Sequence, residues 1–285
     1  MALNNFIPEI WSARLLKHLD EDLVFKQLVN TDYEGEIRNV GDTVRVNRIG
    51  DIVVGSYTKD GEIDSPQQLS GEQLVLKIDQ FKYFNFYVDD VDSAQQNPKI
   101  MDDAMNRAAF ALAREVDKYI AGLYTQAGVK LDNSGAGYQV GTSTGAGNKN
   151  PYDLVVDIVE QMDTHNIPGA GRWLVIPPWF HAMLLKSEEY KLAFQDYKST
   201  GSIPTIAGIR ILMSNNLPTK KIGNNADFSV LLAGTNMAIS FAQQLNKVEA
   251  YRPEKRFADA VKGLLLFGAK VFYPESLVSI VAKKA

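Results

Sequence analysis

The sequence predicts an α+β fold, and three observations support this prediction. An amphipathic pattern from Asn97 to about Ala127 predicts one long helix. Long runs rich in β-branched and aromatic residues precede and follow that helix and predict extended strands. The C-terminal half mixes strands and helices without the regular alternation that a parallel α/β sheet requires.

Composition restricts the classes of function. Of the 285 residues, 45% are hydrophobic and 22% are charged, as in a globular protein. The absence of cysteine excludes disulfides, thiolate metal sites and a cysteine nucleophile. The formal net charge of -4 argues against tight DNA binding, because each phosphate contact needs a cation. No apolar run reaches the roughly 20 residues of a membrane span and no signal peptide is evident, so we expect cytosolic synthesis and no membrane partner.

The first element is an N-terminal arm. Apolar residues between Pro8 and Leu28 recur at spacings that suit one apolar stripe and predict a helical or partly helical segment. This arm either packs on the core of its own chain or grips a neighbouring chain.

The second element is an extended β-hairpin. The stretches "TVRVNRI" and "IVVGSY" predict its first arm, and "LVLKIDQFKYFNFYVDD" predicts its second. The polar residues between them place the tip around Lys59, Asp60 and Gly61. Because a two-stranded ribbon is marginally stable in water, either the rest of the chain or another subunit must cover it.

The long helix follows, and the C-terminal half then supplies shorter elements. Asn97 and Pro98 begin the long helix, and Gly128 can end it. After a glycine-rich loop, Asn150 and Pro151 introduce a helix that ends near His165. The stretch "RWLVIPPWFHAMLLKS" predicts a strand and then a helix, whereas "IAGIRILMSNNLP" and "FSVLLAGTNMAISFAQQ" predict strands and turns.

The glycine-rich loop contains one catalytic motif, since Gly141, Ser143 and Gly145 fit Gly-x-Ser-x-Gly. A nucleophile elbow needs a helix directly behind its serine, and the next helix signal lies well downstream. We therefore interpret the stretch as a flexible loop, and it matches neither phosphate-binding glycine motif. No two histidines have a metal-binding spacing, and a structural role is assigned to all three: His18, His165 and His181.

The C-terminal passage "MAISFAQQLNKVEAYRPEKRFADAVKGLLLFGAKVFYPESLVSIVA" resembles the closing segment of the major capsid (coat) proteins of tailed double-stranded DNA bacteriophages. Four other stretches agree in the same order: "NFIPEIWSARLLKHLDEDLVF", "GDTVRVNRIG", "GRWLVIPPWFHAMLL" and "AGIRILMSNNLP". The resemblance covers nearly the whole chain. It implies the tailed-phage major capsid protein fold, with an N-terminal arm, an extended β-hairpin loop, a long spine helix, and peripheral and axial domains.

The resemblance also implies a division of the chain. The expected segments are an N-terminal arm at 1–39, an extended loop at 40–90, a peripheral domain with spine helix and Gly-rich connection at 91–149, an axial domain at 150–247, and a return to the peripheral domain at 248–285. The extended loop would lie over a neighbouring subunit. Two glycines, Gly263 and Gly268, are expected to flank a strand and to mark a bulge or bend.

The implied function is structural, with no catalytic residue, cofactor or metal. Identical subunits would form hexamers and pentamers of an icosahedral phage head that encloses double-stranded DNA without sequence-specific binding. Because the arm and loop fill the sequence before the spine helix, we expect a separate scaffolding protein, together with a portal. The expected location is the virion, after assembly in the cytoplasm of the bacterial host.

Two loops supply the candidate inter-subunit contacts. The hairpin tip contributes four residues: Tyr57, Lys59, Asp60 and Glu62. The loop in "YRPEKRFAD" contributes three: Arg252, Lys255 and Arg256. These three cations either bridge to acidic groups of neighbouring subunits or lie in a solvated loop, where an exposed ion pair contributes about 0 to 1 kcal/mol.

Two other functions stay open at this point. A bacterial encapsulating nanocompartment shares the implied fold and would differ by an inner pocket for a cargo peptide and by the absence of packaged DNA. A serine hydrolase would rest on Ser143 alone, and unchanged properties of a Ser143→Ala variant would remove it.

Overall fold

One long helix and three sheets organise the part of the chain that the structure describes. The computed structural model describes residues 23–33, 43–49, 52, 54–57, 59, 65–66, 71–89, 100–141, 148–193, 205–222, 226–255 and 257–285. Within these ranges the α-helices are α1 (Ile100–Gly122), α2 (Pro151–Thr164), α3 (Pro178–Leu184) and α4 (Glu188–Ala193). The strands are β1 (Thr43–Ile49), β2 (Gly71–Lys77), β3 (Gln80–Asp89), β4 (Val129–Leu131), β5 (Tyr138–Val140), β6 (Asn148–Lys149), β7 (Arg172–Ile176), β8 (Arg210–Met213), β9 (Thr219–Ile222), β10 (Ala226–Thr235), β11 (Ile239–Tyr251), β12 (Ala258–Val271) and β13 (Leu277–Lys284).

Among the described residues the strands form three sheets of different size. Strands β1 and β2 make a two-stranded antiparallel ribbon. An antiparallel sheet of three strands has the order β11-β12-β3. The largest sheet is mixed, with the order β6-β5-β13-β10-β7-β8, and β4 and β9 pair with β13 and β10 outside this path. The predicted α+β class is confirmed.

Helix α1 lies on the three-stranded sheet through the apolar face that its sequence predicts. Leu112, Val116 and Ile120 are buried in one cluster with Leu265 and Phe267 of β12. We call this side of the sheet its inner face. The α-helix ends at Gly122 and continues as a 3-10 helix through residues 123–126, close to the predicted end. The predicted start at Asn97 and Pro98 lies outside the described residues.

The predicted hairpin needs two corrections. Residues 52 and 54–57, expected in its first arm, are not strand. The second arm also divides at Ile78 and Asp79, since β2 pairs with β1 whereas β3 pairs with β12 in another sheet. No glycine or proline marks this division, and both halves share one β-prone pattern, so the sequence could not indicate it.

Two glycines of β12 also differ from expectation. Gly263 and Gly268 lie inside β12 and do not flank it, and the bulge of this sheet lies in β11 between Leu245 and Lys247. A Cβ atom at Gly263 would collide with the ring of Phe84, which covers it on the inner face. Gly268 likewise leaves room for the backbone of Lys77. Close packing against neighbouring groups therefore explains both glycines.

The large sheet is covered on both faces, which explains its apolar strands. Along β7, Trp173 and Val175 pack into the cluster under α1, whereas Leu174 and Ile176 pack into a second cluster with α2 and α3. This alternation is the period of two that a strand imposes on its side chains. The strand-helix prediction for β7 and α3 is confirmed.

Helix α2 begins and ends where its sequence predicts. The side chain of Asn150 accepts a hydrogen bond from the backbone N–H of Tyr152 at 2.9 Å, and Pro151 occupies the first turn. At the other end, the Nδ1 atom of His165 lies 2.8 Å from the carbonyl oxygen of Gln161. The histidine therefore has the structural role at the helix end that we expected.

Candidate subunit-contact surfaces

The predicted contact residues lie on two separate elements. Tyr57, with 67% of its surface exposed, and the exposed Lys59 belong to the segment that connects β1 to β2. Lys255 is exposed in the loop between β11 and β12, where the Nε atom of Arg252 lies 3.3 Å from the Oδ1 atom of Asp259 in the same chain. Three of the predicted contacts lie outside the described residues: Asp60, Glu62 and Arg256.

The ribbon is anchored on the side of the three-stranded sheet that faces away from α1, which we call the outer face. Val44 and Leu76 of the ribbon are buried with Leu266 of β12. The approach is close, because a Cβ atom at Gly268 would collide with the carbonyl oxygen of Lys77. The small side chain of Ala242, which pairs with Gly268 across the sheet, belongs to the same buried cluster. We call this end of the ribbon its root.

Beyond the ribbon root, the outer face exposes aromatic rings that sequence reasoning did not select. Phe81, Tyr83 and Tyr87 of β3 are 49%, 77% and 51% exposed. Tyr251 of β11 lies on the same face, since it pairs with Ala260, which in turn pairs with Tyr87. We call these four residues the outer aromatic face. Aromatic residues are enriched at protein interfaces, so an exposed group of them indicates a contact surface.

The sequence did contain a signal for this surface. Strand β3 reads "QFKYFNFYVD", with aromatic residues on both alternating positions. Phe84 and Phe86 face the core under α1, where their rings stack at 5.9 Å between centres. A strand whose two faces are both aromatic has two surfaces to cover, and one helix covers only one of them.

Two polar side chains beside the outer aromatic face, Tyr251 and Lys262, have partners within the chain. The hydroxyl of Tyr251 donates to the Oδ1 atom of Asn85 at 3.1 Å. Lys262 pairs with Glu249 at 2.9 Å and lies 5.3 Å from the centre of the Tyr251 ring. The hydrogen bond that Lys262 donates to Glu249 raises the pKa of Lys262, so this cation stays charged and paired. Lys262 and Glu249 therefore leave no unpaired charge between them on this face.

Asp117 is a buried carboxyl group that ties residues 24 and 25, within the predicted N-terminal arm, to α1. Its oxygen atoms accept backbone N–H groups from Phe25 at 3.2 Å and Val24 at 3.4 Å, and the side-chain amide of Asn216 at 3.4 Å. Burial raises the pKa of Asp117, against the opposing effect of these donors. No histidine or cation contributes to that shift among the described residues, so the arrangement suits anchoring and not proton transfer.

The described residues show no cluster of metal ligands. They contain no group of three or more acidic or histidine side chains able to hold a metal ion. Burial lowers the pKa of His181, the half-buried histidine on α3. Ser143 and His18 lie outside the described part of the chain. No helix in the described ranges has the length and apolar character to span a bilayer.

Comparison with known proteins agrees with this fold. A family model described as phage capsid protein matches residues 71–280. A solved structure from Mycobacterium phage Che8 is 28% identical, covers 90% of both chains and has a TM-score of 0.69. The capsid of the cyanophage P-SCSP1u is 18% identical, covers 90% of this chain and 86% of that chain, and has a TM-score of 0.66. No curated protein matches the chain by sequence.

A virus-like particle from Pyrococcus furiosus shares the fold at 17% identity, covers 95% of this chain and 98% of that chain, and has a TM-score of 0.55. The family match extends over more than half of the chain and includes the three-stranded sheet, α1 and most of the large sheet. Family and fold point to a structural protein. The chain is therefore a member of the phage capsid protein family, a shell protein with the fold of tailed-phage major capsid proteins.

Proposed function

We propose that identical copies of this chain assemble as hexamers and pentamers into an icosahedral phage head that encloses double-stranded DNA. The observation that carries this proposal is the family match over residues 71–280, together with capsid structures that align over most of their length. The exposed apolar residues of β3 and of the segment that connects β1 to β2 supply contact surfaces. Many weak contacts of this kind suffice to close a shell, because each is repeated between all copies.

The segments of the chain take roles in this proposal. Residues 1–39 serve as the arm, 40–90 as the extended loop over a neighbour, 91–149 and 248–285 as the peripheral domain, and 150–247 as the axial domain. Strand β3, inside the proposed loop, is part of the sheet that α1 covers, so the loop that reaches a neighbour is the ribbon and its distal residues. Arg252, Lys255 and Arg256 contact acidic groups of neighbouring subunits.

The partners follow from the same proposal. A separate scaffolding protein and a portal direct assembly in the cytoplasm of the bacterial host, and the finished shell is part of the virion. The net charge of -4 fits a wall that encloses DNA without binding it tightly, because dense cations would hold the phosphates along the wall.

Negative-stain electron microscopy with light scattering tests the assembly. The purified chain is measured alone and then with a candidate scaffolding protein. We expect closed shells, capsomers or tubes in at least one condition. A strictly monomeric particle at high concentration in both conditions contradicts the proposal.

A nanocompartment shell is a second candidate, because the virus-like particle from Pyrococcus furiosus has the same fold over 98% of its length. The contents of particles purified from infected or expressing cells distinguish the two. Double-stranded DNA protected from nuclease supports the phage head, whereas a protein cargo without DNA supports the nanocompartment.

A further inference from the structure

Residues 23–33 lie across α1, β7 and β11, and we call this segment the strap. Its far end is fixed by backbone pairing. The N–H group of Asn30 donates to the carbonyl oxygen of Ile239 at 2.9 Å, and the carbonyl oxygen of Asn30 accepts the N–H group of Phe241 at 2.8 Å. Both partners belong to β11, so Asn30 joins the strap to that strand.

The near end of the strap has a different anchor. Phe25 is fully buried, and its ring meets the ring of Trp173 of β7 edge to face at 6.4 Å between centres. The N–H groups of Val24 and Phe25 donate to the carboxyl oxygens of Asp117 of α1. The side-chain amide of Asn216 donates to the same carboxyl group. One carboxyl group therefore connects the near end of the strap to α1 and to the loop that follows β8.

The closed strap buries polar groups at a cost in free energy. Asp117 is 1% exposed, and its three donors among the described residues are all neutral. A buried carboxylate without a cation is unfavourable, and an asparagine could accept the same N–H groups without a charge. The indole N–H of Trp173, beside Phe25, is also buried with no hydrogen-bond partner in the described part of the chain. Water would hydrate these groups if the near end opened.

The charge at this contact depends on Asp117 itself. The surrounding elements carry seven ionisable side chains near it: Lys26 and Asp32 of the strap, Arg114, Glu115, Lys118 and Tyr119 of α1, and Arg172 of β7. The loop at 214–217 has none, and the acidic residues 20–22 lie outside the described residues. Among the described residues, burial raises the pKa of Asp117 and only its three hydrogen bonds oppose this. The closed strap therefore holds a proton more tightly than an open one, and rising pH favours the open strap.

We propose that residues 23–29 are a pH-sensitive strap, closed on α1 when Asp117 is neutral and released more often when Asp117 is ionised, with Asn30 as the fixed pivot. In the neutral acid, the O–H group can donate to the side-chain oxygen of Asn216 once that amide turns, so the strap keeps its acceptor. Release extends the reach of the preceding residues by roughly 23 Å, at about 3.3 Å per residue. The inference goes beyond the proposed function and requires no assembly, because all of these groups belong to one chain.

Hydrogen exchange with mass spectrometry on the unassembled full-length chain tests the strap between about pH 5 and pH 8. The natural chain is compared with Asp117→Asn at each pH, which cancels the intrinsic pH dependence of amide exchange. We expect exchange in peptides that cover residues 23–29, natural chain relative to variant, to rise about threefold or more across this range, because the asparagine carries no charge. These peptides should also exchange faster than those of β7 and β10 at every pH, since the strap opens locally.

The matched control is Asp79→Asn, which neutralises an exposed carboxyl group bonded to the hydroxyl of Tyr119 on the same helix at 3.4 Å. Its strap should keep the pH dependence of the natural chain. A ratio of natural chain to Asp117→Asn that stays constant with pH overturns the inference, and so does a strap that exchanges only as fast as β10. Loss of the pH dependence in Asp79→Asn overturns it as well. If Asp117→Asn fails to fold, a synthetic peptide of residues 23–29 replaces it as the reference for intrinsic exchange. A negative result leaves the proposed function intact, because no measurement involves assembled particles.

Discussion

Asp117 is an almost fully buried carboxyl group whose pKa is raised chiefly by burial. Below the ordinary pKa of 3.8, the group is protonated in both the folded and the unfolded chain. As pH rises through the raised pKa, the folded chain must bury a carboxylate, so the contribution of this group to the free energy of unfolding decreases. The group therefore favours the folded state more at acidic pH than at neutral pH.

We predict that Asp117→Asn gains thermal stability relative to the natural chain as pH rises from about 4 to 7. The amide keeps an acceptor for the N–H groups of Phe25 and Val24 and cannot become charged. Thermal unfolding of both chains at a series of pH values measures the difference in Tm. A difference in Tm that stays constant across this pH range would contradict a raised pKa of Asp117 in the folded chain.

Gly268 is required by a close backbone approach. We predict that Gly268→Ala destabilises the chain by about 1 to 3 kcal/mol, because its Cβ would displace the ribbon root at Lys77. The control is Gly122→Ala at the end of α1, where a Cβ meets nothing within 4 Å and φ is -63°. This control should be neutral or stabilising by up to about 1 kcal/mol, and denaturant unfolding measures both variants. Equal effects at the two sites would argue against the close approach.

Arg172 connects the end of α2 to the start of β7. Its guanidinium, 7% exposed, pairs with Asp163 at 2.7 Å and donates to the carbonyl oxygens of Ile167 and Pro168. We predict that Arg172→Met lowers the free energy of unfolding by about 2 to 4 kcal/mol, because two carbonyl acceptors lose their donor. Arg252→Met, in an exposed pair, should cost less than about 1 kcal/mol in the same denaturant titration. Similar losses of unfolding free energy in the two variants would contradict the larger contribution assigned to the buried Arg172.

At the scale of elements, the ribbon is the least supported sheet among the described residues. It has two strands, and its root packs in the smallest of the three apolar clusters. Elements with few buried contacts open at low free energy, so we predict that amides of β1 and β2 exchange with solvent faster than those of β7, β10 and β12. Hydrogen exchange with mass spectrometry on the unassembled chain measures this order.

The same measurement on assembled particles extends the test. We expect slower exchange in β1 and β2 after assembly, since a neighbour then covers the distal part of the ribbon. Strand β10, between β13 and β7 in the large sheet, serves as the internal control because its exchange should not change. Unchanged exchange in the ribbon would contradict a role in subunit contact.

At the scale of the whole molecule, assembly multiplies small contact energies. We predict that a chain with both Tyr83→Ser and Tyr87→Ser folds normally but raises the critical concentration of assembly about tenfold or more. Loss of about 1.4 kcal/mol per contact has this effect, and one well-buried aromatic ring contributes that much. Light scattering against protein concentration measures the threshold, and Phe110→Ser is the matched control. A threshold that moves equally in the control would contradict the prediction.

Much of the fold could be read from local patterns. Asn150 and Pro151 indicated the start of α2, and the apolar positions of α1 indicated the face that packs on the sheet. The apolar run of β7 indicated a strand that is buried on both faces, and its side chains do alternate between two apolar clusters. Each of these signals depends on residues close in sequence, where the helix and strand periods directly constrain composition.

The contact surfaces were only partly predictable. Tyr57 and Lys59 were selected by their place in a polar tip and are exposed, as expected. Tyr83 and Tyr87 were not selected, because in "QFKYFNFYVD" both faces are aromatic and the sequence does not say which face α1 covers. That choice depends on the pairing of β3 with β12, whose residues lie far away along the chain.

Local sequence determined the kinds of elements, the ends of several helices and the likeness to capsid proteins, because caps, periods and family motifs act over short stretches. The tertiary fold decided how those elements are joined. It divides the predicted second arm at Ile78 and places the strands on either side, β2 and β3, in different sheets. It also brings the backbone of the ribbon close to Gly268. The physical reason is that strand partners and close backbone approaches are set by packing between residues distant in sequence. The outer aromatic face exists only as a product of that packing.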